Sequence, residues 1–263
     1  GKTSVGSARG ESSHQEHPFM ALVSGTATQE RGDVYGFHFV YSGNFLAQVE
    51  KTQFDSLRLQ MGIHPKNFCW QLKPGEVFAA PEVILTYSAE GLGGMSRAYH
   101  DLYRNHLIRS PYKDKKRPIL INNWEATYFD FNTEKLLDIA REAKRAGIEM
   151  LVMDDGWFGH RNDDNSSLGD WQGNEEKLQG GLKYLVDEVN RIGLKFGIWF
   201  EPEMVSPDSD LYRAHPDWAI AVPGRVPCRS RNQYVLDLTR REVLEHVYRS
   251  VSEVLHSANI EYV

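Results

Sequence analysis

Four carboxylates in two short motifs are the residues best suited to chemistry. Asp154 and Asp155 are neighbours in Asp154-Asp155-Gly156-Trp157-Phe158, and Glu201 and Glu203 flank Pro202. Paired acids fit glycoside cleavage, in which one acid protonates the leaving oxygen and a second carboxylate serves as nucleophile or base across the anomeric carbon. Carboxylates also accept hydrogen bonds from sugar hydroxyls, and an indole face covers the apolar side of a pyranose. At period two, Glu201 and Glu203 share a face of an extended segment, so spacing alone makes them the better catalytic pair. The alternative is a Pro-held turn whose acids bind backbone amides. Asp154 and Asp155 point to opposite sides of a strand unless the strand has ended, which Gly156 allows. They are read as binders of two ring hydroxyls; the alternative is that one caps a turn and the other pairs with a lysine. Trp157 and Phe158, in this company, read as part of the ligand grip rather than as core. Trp124 and Trp199 read as walls of a sugar subsite. Arg231, within the polar run 228–233, is by itself a surface arginine.

These residues need elements that bring them to one place. From Pro118 the pattern alternates between apolar strands and amphipathic helices, which predicts a parallel sheet. Ile119–Trp124 reads as a buried strand with Trp124 at its end. Thr133–Ala146 reads as a helix capped by Asn132 or Thr133 and stopped by Gly147. Strands follow at Ile148–Met153 and Lys195–Phe200, with a helix over Gly181–Ile192 between them. A short extra strand is expected at Tyr234–Leu236, a long helix over Arg240–Ser257, and a fourth strand from Ile260. Acids and tryptophans gather at the C-terminal ends of the strands, which favours a (β/α)8 barrel over an open doubly wound sheet. No GxGxxG follows the first strand. Before Pro118 the chain reads as β structure. Val34–Tyr41, Ser42-Gly43-Asn44 and Phe45–Val49 have the pattern of a hairpin. A turn is expected at Leu72–Glu76, a strand at Val83–Tyr87 and a helix over Met95–Arg104. Lys113–Arg117 is the only basic run and reads as a linker.

Composition narrows the class. The chain has 263 residues, 41% hydrophobic and 25% charged, with a formal net charge of −6. No basic face invites a nucleic acid, and no apolar run reaches membrane length. Two cysteines without a CxxC spacing make a zinc or redox site unexpected. Cysteine usage and the lack of a visible signal peptide point to a cytoplasmic protein.

The ordered set Asn122-Asn123-Trp124-Glu125-Ala126, Asp154 to Phe158, Trp199 to Met204 and Arg231-Asn232-Gln233 resembles the α-galactosidases of glycoside hydrolase family 36. The resemblance runs along essentially the whole chain. It implies the fold class: residues 1–110 as the C-terminal part of an N-terminal β-supersandwich domain, and 111–263 as the first half of an α/β, (β/α)8 TIM-barrel catalytic domain. It implies retaining hydrolysis of terminal α-D-galactose from melibiose and raffinose-type oligosaccharides, with no cofactor and no metal, by a homo-oligomer. It further implies that Trp124, Asp154, Asp155, Trp199 and Arg231 line the galactose subsite, with Asp154 and Asp155 on the C4 and C6 hydroxyls. The family's nucleophile lies in a Lys-Trp-Asp motif straight after a run like Ile260–Val263, and its acid/base aspartate lies further on. Both catalytic carboxylates are therefore expected beyond Val263, this chain is expected to be inactive alone, and Glu201 and Glu203 are not the family's pair. A transglycosylating relative, an α-N-acetylgalactosaminidase and a non-catalytic galactose-binding fragment are the competing readings.

Overall fold

A computed structural model describes residues 1–12, 14–229 and 231–263, and the elements below are those of the described residues. The chain divides into two compact units, Gly1–Lys115 and Lys116–Val263.

The first unit holds two antiparallel three-stranded sheets. Strands β1 (Lys2–Ser7), β4 (Phe45–Lys51) and β5 (Leu57–Ile63) form one in the order β1-β4-β5. Strands β2 (Phe19–Val23), β3 (Val34–Phe39) and β6 (Val83–Ser88) form the other in the order β2-β3-β6. The expected hairpin between β3 and β4 is therefore not formed. Both runs are strands, but each is the central strand of its own sheet, with both edges taken by other partners. Residues 40–44 instead carry the chain from one sheet to the other, and Phe39 and Phe45 at the two ends of this passage are fully buried. Lys73 to Glu76 closes the expected turn, with Gly75 at φ +85° and the Glu76 N–H donating to the Lys73 carbonyl. Helix α1 (Gly91–Leu102) runs into a π-helical turn over Tyr103–Leu107. It packs Met95 and Tyr99 against Val34 of β3. Gly36 permits this approach, since a Cβ there would stand 2.8 Å from both Met95 Sδ and a Tyr99 ring carbon.

The second unit is built on a parallel sheet of β7 (Leu120–Asn122), β8 (Met150–Met153) and β9 (Lys195–Ile198) in that order. All four residues of β8 are buried, as a strand covered on both faces requires. By contrast β7 is shorter and more exposed than the sequence reading: Ile119 and Leu120 are largely open, because the strand has a sheet neighbour on one side only among the described residues. Trp124 does not end that strand; it opens the short helix α2 (Trp124–Thr127). Beyond β9 a fourth position begins, where Tyr262 bridges Gly197 in parallel.

The helices follow their local signals closely. α3 (Thr133–Arg145) is capped by Asn132, whose Oδ1 accepts from the Lys135 N–H at 2.9 Å, and Gly147 beyond its end sits at φ +84°. It buries Leu136, Leu137, Ala140 and Ala143. α4 (Gly181–Ile192) buries Leu185, Val186 and Val189 and ends on left-handed Gly193. Strand β10 (Met204–Val205) precedes the short helix α5 (Asp210–Ala214). Strand β11 (Tyr234–Val235) pairs antiparallel with β10, so the extra strand stands outside the parallel sheet. Helix α6 (Arg241–Ser257) completes the unit. No helix of the described residues is long and apolar enough to cross a membrane.

Candidate functional site at the strand ends

The polar residues singled out in the sequence converge on the C-terminal ends of β7, β8 and β9. At the end of β7 two asparagines organise the aspartate of β8. The Asn122 Nδ2 donates to Asp154 Oδ2 at 2.5 Å, while Asn123, fully buried, accepts the Asp154 backbone N–H on Oδ1 at 2.8 Å. Asn122 Oδ1 also accepts from the Trp124 N–H at 2.7 Å, at the start of α2. Trp124 is half-buried, with edge-on contacts to Tyr128 and Phe129 at 5.2 and 5.0 Å. These asparagines belong to the Asn122–Ala126 motif noted in the sequence, which by itself gives them no role of their own.

Asp154 and Asp155 go separate ways. Asp154 stays half-buried, its Oδ1 accepting the Asp155 N–H at 2.8 Å. Asp155 turns inward to 2% exposure and is met by Arg161, which has none. The Arg161 Nε donates to Asp155 Oδ1 at 2.9 Å and Nη2 to Oδ2 at 2.8 Å, while Nη1 donates to the Ser166 carbonyl at 2.9 Å. This two-pronged grip spans six residues of loop that carry no periodic pattern. Lys177 supports the same turn. Its Nζ donates to the carbonyls of Phe129, Gly156 and Arg161 at 2.9, 3.0 and 2.9 Å and stands over the Phe131 ring. Burial lowers the Lys177 pKa, against the pull of Asp155 and Asp130.

The aromatic pair beside the acids is core after all. Trp157 and Phe158 are both completely buried, and the Trp157 Nε1 donates to the Trp199 carbonyl at 3.0 Å. The long return from 159 to 178 covers them, with Trp171 at 6.2 Å from Trp157 and 4.5 Å from Phe158. Trp199 itself remains half-buried just beyond β9, stacked on Phe158 at 6.4 Å.

Glu201 and Glu203 do not share a face. They belong to a turn in which the Met204 N–H returns to the Glu201 carbonyl, so Glu203 faces solvent and the Glu201 side chain is 17% exposed. The Gln233 Nε2 donates to Glu201 Oε1 at 2.7 Å, and Arg231 Nη1 lies 3.8 Å from the same oxygen. Burial pushes the Glu201 carboxyl above its ordinary range, against Arg231 and Gln233, with Glu203 and Asp155 adding to the rise. Arg231 is itself exposed, at φ +50°, next to Asn232 at φ +63°. Ser230 lies outside the described residues. Among the described residues no group of three or more His, Cys, Asp or Glu is arranged to hold a metal.

A parallel α/β unit that gathers carboxylates, amides and half-open indoles at its strand ends has the arrangement in which α/β proteins carry their functional sites. Comparison with known proteins gives the family. The Melibiase model matches residues 77–263, and the model of the glycosyl hydrolase family 36 N-terminal domain matches residues 1–73. The chain belongs to this melibiase family, glycoside hydrolase family 36. It is 58% identical over 257 residues to the α-galactosidase AgaA of Geobacillus stearothermophilus, covering 98% of this chain and 35% of that protein. The crystal structure of AgaA superposes with a TM-score of 0.97 at 57% identity, over all of this chain and 37% of that one. A variant of AgaA solved in complex with raffinose matches with the same TM-score at 56% identity, again over all of this chain and 37% of that one. The chain thus spans little more than a third of the length of these relatives.

Proposed function

We propose that this chain supplies the front half of the sugar site of an α-galactosidase, which releases terminal α-D-galactose from galactosides such as melibiose and raffinose-type oligosaccharides with retention of configuration. The observation that carries the reading is Asp154 beyond the central strand β8, its two carboxylate oxygens accepting from the Asn122 amide and the Asp155 N–H, with Trp124 and Trp199 following the flanking strands β7 and β9. A carboxylate whose direction is fixed from two sides can accept a sugar hydroxyl of one orientation, and it rejects the epimer because a buried acceptor is then left unpaired. The AgaA complex with raffinose supports a galactose-containing oligosaccharide as the ligand.

On this reading Trp124, Asp154, Asp155, Trp199 and Arg231 contact the galactose. Asp155 does so with the lone pairs that Arg161 leaves over, since each carboxylate oxygen accepts two hydrogen bonds. Two observations support placing the catalytic pair elsewhere: Asp155 is locked to a guanidinium, and Glu201 and Glu203 diverge. The nucleophile and the acid/base are assigned to sequence following Val263, on the three parallel strands' continuation into a closed (β/α)8 barrel. The first unit is assigned to a β-supersandwich domain joined through the Lys113–Arg117 linker, and the assembled protein to a cytoplasmic homo-oligomer.

The test is hydrolysis of an aryl α-galactoside by the 263-residue chain beside the full gene product that carries it. Turnover by the longer protein alone supports the assignment. Turnover by the short chain, absent from a mock preparation, returns catalysis to the acids described above. A product mixture rich in galactosyl oligosaccharides would instead mark a transglycosylase.

A further inference from the structure

Glu201 has no role in the site as assigned so far, yet its surroundings are specific. Gln233, only 1% exposed, fixes the carboxylate through Oε1, so the orientation of Glu201 is set by the core rather than by a mobile side chain. Two further acceptors lie buried there without a donor, Glu201 Oε2 and Gln233 Oε1. Buried acceptors are costly to leave unmatched. Arg231 is close by, its guanidinium within ion-pair distance of Oε1 but beyond hydrogen-bond reach. A planar fork with five donors is the group that matches several acceptors at once. The backbone here is unusual: Arg231 and Asn232 are consecutive non-glycine residues with left-handed φ of +50° and +63°. Such strain persists only where its surroundings hold it, and here Asn232 is anchored through its Nδ2 to Asn165 Oδ1 at 2.8 Å.

We propose that Glu201, clamped by Gln233, is a positioning residue that sets the direction of the Arg231 guanidinium over the galactoside. The inference rests on the α-galactoside reading and deepens it. Glu201 acts through Arg231 and touches no reacting atom.

A double-mutant cycle on the full gene product tests it, with Glu201→Gln, Arg231→Lys and both together assayed against an aryl α-galactoside. Glu201→Gln should lower kcat/KM by about tenfold to a hundredfold, chiefly through KM, the loss of one well-directed charged contact. Because the first change disables what the second removes, the double variant should be no worse than the poorer single one. The thermal midpoint of Glu201→Gln should not fall, which separates misdirection from unfolding. Should that variant fail to fold, Glu201→Asp carries the same test, keeping the charge while moving it one methylene back. Deficits that multiply in the double variant, or an unchanged kcat/KM in Glu201→Gln, overturn the proposal alone. A wild-type protein that neither binds nor cleaves any α-galactoside overturns the functional reading and this inference with it.

Discussion

Arg161 closes on Asp155 from within the molecule: three N–O distances of 2.9, 3.2 and 2.8 Å join two side chains that are both withdrawn from solvent. The attraction in such a pair is largely spent on desolvating its members, so its net contribution is small, whereas removing one partner strands a charge in the interior. Arg161→Met should therefore destabilise the chain by about 3–5 kcal/mol. The double change Asp155→Leu with Arg161→Met should recover a large part of that loss. Urea unfolding followed by tryptophan fluorescence reads both. A double variant as unstable as the single one would show that Arg161 matters for packing rather than for charge.

Gly156 is the hinge on which the two aspartates part. It lies at φ +102°, and an added Cβ would stand 3.0 Å from a Phe129 ring carbon and 3.3 Å from both the Arg161 carbonyl and Lys177 Nζ. Gly156→Ala should cost about 1–3 kcal/mol through strain and displacement of this turn. It should also speed hydrogen exchange at the amides of residues 155–161. Stability within about 0.5 kcal/mol of the parent would mean the turn relaxes freely.

Asp154 invites the opposite outcome. It is half-buried and its partners are amides, so its loss leaves no buried charge unpaired. Asp154→Ala should change stability by less than about 1 kcal/mol while weakening galactose binding at least about a hundredfold. Calorimetric titration of the full gene product decides this. Retained affinity would remove Asp154 from the sugar site.

Glu201 predicts a pH dependence with a definite sign. Its carboxyl is raised from an ordinary 4.5 chiefly by burial, so the folded chain holds this proton more tightly than the unfolded chain does. The stability so gained is present below pH 4.5 and is lost as pH rises through the folded value. Glu201→Gln cannot ionise and escapes that loss. The variant should thus gain on the parent as pH increases from about 4 to 7, measured by denaturation at several pH values. An advantage that shrinks with pH would mean that Arg231 and Gln233 outweigh burial.

Much of this was legible in the sequence where signals are local. Asn132 and Gly147 bound α3, and Gly193 stops α4, because caps depend on neighbouring residues alone. The gathering of Asp154, Trp199 and Glu201 at one end of the sheet followed from parallel strands, which place successive C-termini on one side. What failed depended on distant partners. The β3–β4 turn signal was real, but pairing was decided by strands from elsewhere in the chain. Trp157 resembled a ligand wall because the residues that bury it, such as Trp171, arrive only after the loop folds back. The same return brings in Arg161 and Lys177, whose partners no short-range pattern could reveal.

Lys177 holds the loop at its root, binding Gly156 and Arg161 near the departure and standing itself near the return. The tip at 162–165 is largely exposed. The bonds that fix the root do not involve residues 162–164. Residues 162–164 carry none of the hydrogen bonds that hold Asp155, whereas Asn165 is tied to Asn232. Residues 162–164 are thus the stretch where this chain can vary while the Asp155–Arg161 pair stays as it is.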